Sequence, residues 1–141
     1  MHISFALFAD AANLSQEGKL NILGVFDAVQ VATLPALHPR AHLVVRLKGD
    51  RGDIGSHTMT LQWINPAGAE LWNSGGEIEV AAPPAAVTEM DFPLIAPVDL
   101  PLDSSGGYVM RISLDNVPRA DVPLQVRAGA QTMMPANAMI S

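Results

Sequence analysis

The sequence predicts an all-β protein, an antiparallel β-sandwich of about seven or eight strands with immunoglobulin-like or related Greek-key connections. Three observations carry that expectation. Apolar residues recur with a period of two in run after run. Turn-forming residues separate those runs at short intervals. No stretch long enough for a regular helix keeps a period of about 3.6 residues.

The elements follow in chain order. Ile3, Phe5, Leu7 and Ala9 alternate with His2 and Ser4, the mark of a half-buried strand. Ala11 to Gly18 has room for one helical turn. Lys19 then begins a return strand, and Gly24 inside that apolar run predicts a bulge or a close approach by a neighbouring chain. Ala41, Leu43, Val45 and Leu47 alternate with a second row that includes His42, Arg46 and Lys48. Gly49 to Gly55 reads as a glycine-rich loop, and His57, Met59, Leu61 and Trp63 form the apolar row of the next strand. Asn65-Pro66-Ala67-Gly68 has hairpin-turn chemistry. Ser74-Gly75-Gly76 predicts a bulge or bend. Asp103 to Gly107 is a turn before Tyr108, Met110, Ile112 and Leu114. Val122, Leu124 and Val126 close the pattern. Prolines 35, 39, 83, 84, 93, 97 and 101 are expected in loops or at strand edges, where no ladder donor is lost. Tyr108, the only tyrosine, follows Gly-Gly and stands where a tyrosine corner would place a hydroxyl against nearby backbone. Residues 1–127 read as a single sandwich domain and 128–141 as an Ala/Met-rich tail.

Composition narrows the function classes. The 141 residues are 49% hydrophobic and only 16% charged, against about 25% charged in an average soluble domain. A surface so poor in charge predicts self-association or a protein partner. Eight Lys and Arg against 14 Asp and Glu give a net charge of −6. That balance opposes nucleic-acid binding, which depends on neutralising phosphates. Without cysteine there is no thiol catalysis, no disulfide and no cysteine zinc site. No apolar run is long enough to span a membrane as a helix. The start, MHISFALFAD, lacks the basic residues and the longer apolar core of a secretory signal. A cytoplasmic protein is therefore expected, with no membrane and no cofactor.

Few residues point to chemistry. Asp10 and Asp27 sit in apolar runs where packing would not place them, and with Lys19 they could form a small polar site at the end of the first two strands. Their structural role would be to accept backbone N–H groups at strand ends. His38 and His42 have a helical metal spacing, but Pro39 lies between them. His42 and His57 would approach each other if their strands pair, and Asp50 or Asp53 would then complete a metal site. Arg51-Gly52-Asp53 suits a plain turn. Glu77 and Glu79 fit a solvated strand face. No nucleophile elbow, phosphate-binding glycine loop or calcium loop occurs. Trp63 is assigned to the core. Trp72 precedes a polar Asn-Ser-Gly-Gly run and is a candidate anchor for a partner. Met133, Met134 and Met139 in the tail could plug a neighbouring groove.

Two long segments carry a resemblance. FADAANLSQEGKLNILGVFDAV runs on into P-x-x-H-P-R-A-H-L-V-V-R-L, and later comes GSHTMTLQWINPAGAEL, then SSGGYVMRISLDNVPRADVPLQV. In this order they resemble a family of small bacterial proteins known only as a domain of unknown function. The resemblance spans roughly Ile3 to Val126. It implies a β-sandwich and no established activity, and it makes Asp10, Lys19, Gly24 and Asp27 parts of a framework. The expected function is a non-enzymatic interaction or assembly module. The alternatives are a small-ligand or metal-binding sensor domain and a structural subunit of a larger particle.

Overall fold

The structure, a computed structural model, describes residues 1–129. Nine strands form among them: β1 (His2–Leu14), β2 (Leu20–Phe26), β3 (Ala28–Val31), β4 (Ala36–Asp50), β5 (Gly55–Ile64), β6 (Glu70–Val80), β7 (Glu89–Leu102), β8 (Gly106–Leu114) and β9 (Val117–Ala128). They build two sheets, ordered β2-β1-β4-β7 and β3-β9-β8-β5-β6. The count exceeds the expected seven or eight. One reason is that the apolar run from Leu20 to Val31 breaks at Asp27 and serves both sheets. Its second half, β3, pairs parallel to β9, whereas the other described pairs are antiparallel.

Alternation decides what each strand buries. Phe8, Leu43, Val45 and Leu47 point inward from the first sheet, and Leu61, Trp63, Met110, Ile112, Leu114 and Leu124 from the second. Removing each such side chain from water contributes about 1.5–3 kcal/mol. Trp63 and Tyr108 stack at 5.1 Å, and Phe8 meets the Trp63 ring edge-on at 6.1 Å. Trp63 thus faces the core, as its alternation predicts. Its Nε1–H also donates to the Pro101 carbonyl of β7 in the opposite sheet, at 2.9 Å.

Tyr108 is fully buried and its hydroxyl returns to the turn just before β8. It accepts from the Asp103 and Ser104 backbone N–H groups, both at 2.9 Å. Its own proton has two acceptors at 2.7 Å, Asp103 Oδ1 and the Ser104 carbonyl. This turn carries the chain from β7 in the first sheet to β8 in the second.

Some local expectations are corrected. Ala11–Leu14 is not a helical turn but the end of β1, because pairing with β2 satisfies its backbone. Ser15 to Gly18 makes the turn, with Gly18 at φ +79. Ser74–Gly76 is not bulged: it pairs regularly with Met59–Leu61, and the irregularity of that ladder falls at Trp63/Ile64. The prolines keep to sites that cost no ladder donor. Pro93, Pro97 and Pro101 lie in β7, an edge strand, and Pro39 lies at the register shift between His38 and Ala41. Arg51–Asp53 forms a short 3₁₀ turn capped by Asp50.

Candidate functional site

The residues singled out from sequence do not converge. Asp10 lies across from Gly24, and a Cβ built on Gly24 would collide with the Asp10 carboxylate. The predicted close approach at Gly24 is therefore made by a side chain, and φ of +69 there also favours glycine. Lys19 does not pair with Asp10 or Asp27. It sits by the hairpin turn, where its ammonium meets Glu17 at 3.1 Å. Asp27 lies at the far end of β2, and its carbonyl accepts from Gln125 N–H at 2.8 Å. The strand β2 separates the two, and neither aspartate joins an ion pair among the described residues.

The His42/His57 metal pair is also corrected. β4 and β5 lie in different sheets, so these strands do not pair. Among the described residues no group of three His, Asp or Glu side chains is placed to hold a metal ion. Trp72 is half-buried against the core, and its Nε1–H donates to the Asp99 carbonyl of β7 at 3.2 Å. It ties the two sheets together along one side. Met133, Met134 and Met139 lie outside the described residues.

His57 has a role other than the metal ligand weighed from the sequence. Its Nδ1 lies 2.7 Å from Asp115 Oδ2 and its Nε2 lies 2.6 Å from the Asp53 carbonyl. Both neighbours are acceptors, so the doubly protonated ring fits best. The hydrogen bond to Asp115, then that to the Asp53 carbonyl, raises the His57 pKa. The bond from His57 in turn lowers the pKa of Asp115, as does the Thr58 N–H. Asp115 and Asn116 both have positive φ and close the two-residue hairpin between β8 and β9. The histidine thus clips that hairpin to the loop before β5.

The clip predicts a pH dependence. A raised histidine pKa stabilises the fold in full below the unfolded value of about 6.5 and is lost as pH rises through the folded value. The lowered Asp115 pKa acts oppositely: its contribution is present above about 3.9 and is lost as pH falls through the folded value. Urea midpoints should therefore fall as pH rises above about 6.5 in the native chain and vary less there in His57→Gln. Parallel profiles for the two proteins would remove the clip.

The first sheet offers a surface of another kind. Ala9 and Val44 are fully buried yet stand outside the core cluster. They belong to the outer rows of β1 and β4, alternating with Phe8, Leu43 and Val45. The rows pair Val25 with Ala9 and His42, and Leu7 with Val44 and Ile95. Charges flank these rows: Arg46 binds Asp91 and Lys48 binds Glu89 toward one end, and Asp99, two residues past Pro97 in β7, accepts from the Arg40 N–H toward the other. Outer faces of sandwiches are ordinarily polar. Here His42 lies amid the apolar rows, and its Nδ1 is buried with no hydrogen-bond partner among the described residues.

The same face continues onto an arm. β4 pairs with β1 only as far as Ala9, whereas β2 follows β1 to Leu14. Residues beyond Ala9 therefore stand out as a two-stranded ribbon. Leu23 is 71% exposed and Val25 61%. Sequence reasoning passed over Leu23 and Val25. The available signal was LNILGVF itself, a strand without charge or proline. One shallow depression is lined by Asp27, Gly107, Gln125 and Arg127.

Two face-to-face sheets, with the chain crossing between them at Asp27 and again before Tyr108, define a β-sandwich of the all-β class. The chain belongs to a family of unknown function, DUF6941, which matches residues 4–127. Among solved structures, an immunoglobulin-like protein from Pseudomonas aeruginosa is similar at 12% identity and a TM-score of 0.34, with 89% of this chain and 95% of that chain covered. No curated protein matches the chain. No helix among the described residues is long and apolar enough to cross a membrane.

Proposed function

We propose that this chain is a non-enzymatic interaction module that docks protein through the outer face of its first sheet and the β1–β2 arm. One observation carries the reading: Leu23 and Val25 are 71% and 61% exposed on a face whose neighbours Ala9 and Val44 are fully buried. Leaving such side chains in water forgoes about 25 cal/mol per Å² of burial, and contiguous apolar patches on a soluble domain commonly mark binding sites. The low charge content supports the same reading. The cysteine-free composition fits a reducing compartment, here the cytoplasm.

Native mass spectrometry of untagged chain isolated from its own host tests the proposal. The expected result is a defined complex in the native chain, lost on Leu23→Asp together with Val25→Asp. Both sites are exposed, so the substitutions leave the core untouched. A bare native monomer would overturn the reading.

A further inference from the structure

The four sheet edges are not alike. β3 is only four residues long. β6 carries Glu70, Glu77 and Glu79. β7 carries three prolines with Glu89, Asp91 and Asp99. Short length, charge and proline are the usual guards against unwanted strand pairing. β2, Leu20–Phe26, has none of them. From this contrast we propose that two copies of the chain join by antiparallel pairing of their β2 edges about a two-fold axis at Leu23. The inference rests on the interaction-module reading and names its partner as a second copy.

Register and charge both select that axis. The Ser15 N–H bonds to the Lys19 carbonyl beside the hairpin turn, at 2.9 Å. Hydrogen-bonded and non-bonded pairs alternate along an antiparallel ladder. Counting from Lys19, the odd positions of β2 bond to β1, and Leu20, Ile22, Gly24 and Phe26 present N–H and C=O outward. A two-fold axis at Leu23 sets Ile22 opposite Gly24 and Leu20 opposite Phe26, so outward groups meet outward groups. Gly24 is the irregular position, but Leu23 and Val25 on either side keep their register with Ala11 and Ala9.

The charges then fall into place. Under this symmetry Lys19 of each copy stands opposite Asp27 of the other, twice per dimer. Shifting the axis to Ile22 would oppose Glu17 to Asp27, a like-charge pair. Shifting it to Gly24 leaves Lys19 opposite Val29. Among the described residues of one chain Lys19 has only the exposed Glu17 as partner, with both side chains about three-quarters exposed, and such a pair contributes little. The dimer gives Lys19 and Asp27 each a countercharge across the interface and extends the first sheet continuously. The exposed Leu23 side chains meet on the axis.

Sedimentation equilibrium of the full chain tests the proposal. The native chain is expected at twice its 14.9 kDa mass. Lys19→Asp alone opposes two acidic pairs and Asp27→Lys alone opposes two basic pairs, so each should weaken self-association about tenfold or more. An equal mixture of the two variants restores opposite charges at both contacts and should recover a dimer near native affinity. Both residues are exposed, so the variants keep their fold, and circular dichroism checks it. A native monomer, or a dimer indifferent to both reversals, overturns the β2 pairing. If the native chain is monomeric but holds another protein through Leu23 and Val25, only the self-pairing falls. If it holds nothing, the module reading falls with it.

Discussion

Replacing Trp63 with alanine should lower the unfolding free energy by about 3–5 kcal/mol, the range for deleting a large aromatic from a core. The site gives reason for the upper part of that range. The indole is fully buried, stacked on Tyr108 and met edge-on by Phe8. Its neighbours belong to both sheets, so the cavity cannot close without moving one sheet against the other. The substitution also removes the donor to the Pro101 carbonyl. Domains of this kind hold only about 5–15 kcal/mol in total. The expected fall in Tm is therefore about 10–20 °C, with an unchanged urea m-value if only the native state is weakened. Trp63→Phe keeps most of the ring and should lose far less. Trp72→Ala is the comparison, because that indole also bonds to β7 but is only half-buried. Equal losses at the two tryptophans would refute the assignment of Trp63 as the piece that locks the sheets.

That assignment was legible in the sequence because a strand's alternation is local. His57, Met59, Leu61 and Trp63 share one row whatever the strand pairs with. The features that were not legible depend on which strands meet. β7 hides behind three prolines and an almost unbroken apolar run, which obscures its period. Ala11–Leu14 has as good a claim to helix as to strand, and only pairing with β2 decides it. The His42/His57 metal pair failed for the same reason, since sheet membership is set by the whole topology. The polar cluster of Asp10, Lys19 and Asp27 failed because β2 holds its ends apart.

The candidate surface was hidden more deeply. In β2, residues at both parities are apolar: Leu20 and Ile22 on one side, Leu23 and Val25 on the other. Such a run reads as a strand buried on both faces. Among the described residues one face has no cover, and the strand lies at the sheet edge. A buried-type sequence at an exposed edge is a conflict between local pattern and tertiary position. Such conflicts concentrate where a protein is used rather than merely folded. A second copy at the β2 edge removes part of this conflict.

Tyr108→Phe should cost about 2–4 kcal/mol although only one oxygen is lost. The hydroxyl accepts from two backbone N–H groups, Asp103 and Ser104, and each loses its partner in the variant. An unsatisfied buried donor costs about 1–3 kcal/mol, and these groups are partly buried, so the lower half of that range applies to each. The ring stays in its stack with Trp63, so the loss belongs to the hydroxyl and not to packing. The effect should also be local. The turn at Asp103 and Ser104 carries the chain from one sheet to the other, and Asp103 is held a second time by Asn65 Nδ2 at 2.9 Å. Loosening the corner should speed amide exchange at residues 103–107 while β5 and β8 keep their protection. Urea unfolding with exchange measured on the same samples checks both parts. A loss under about 1 kcal/mol would mean that water serves the two N–H groups as well as the hydroxyl does, and the turn would then owe its shape to Asp103, Asn65 and the glycines that follow.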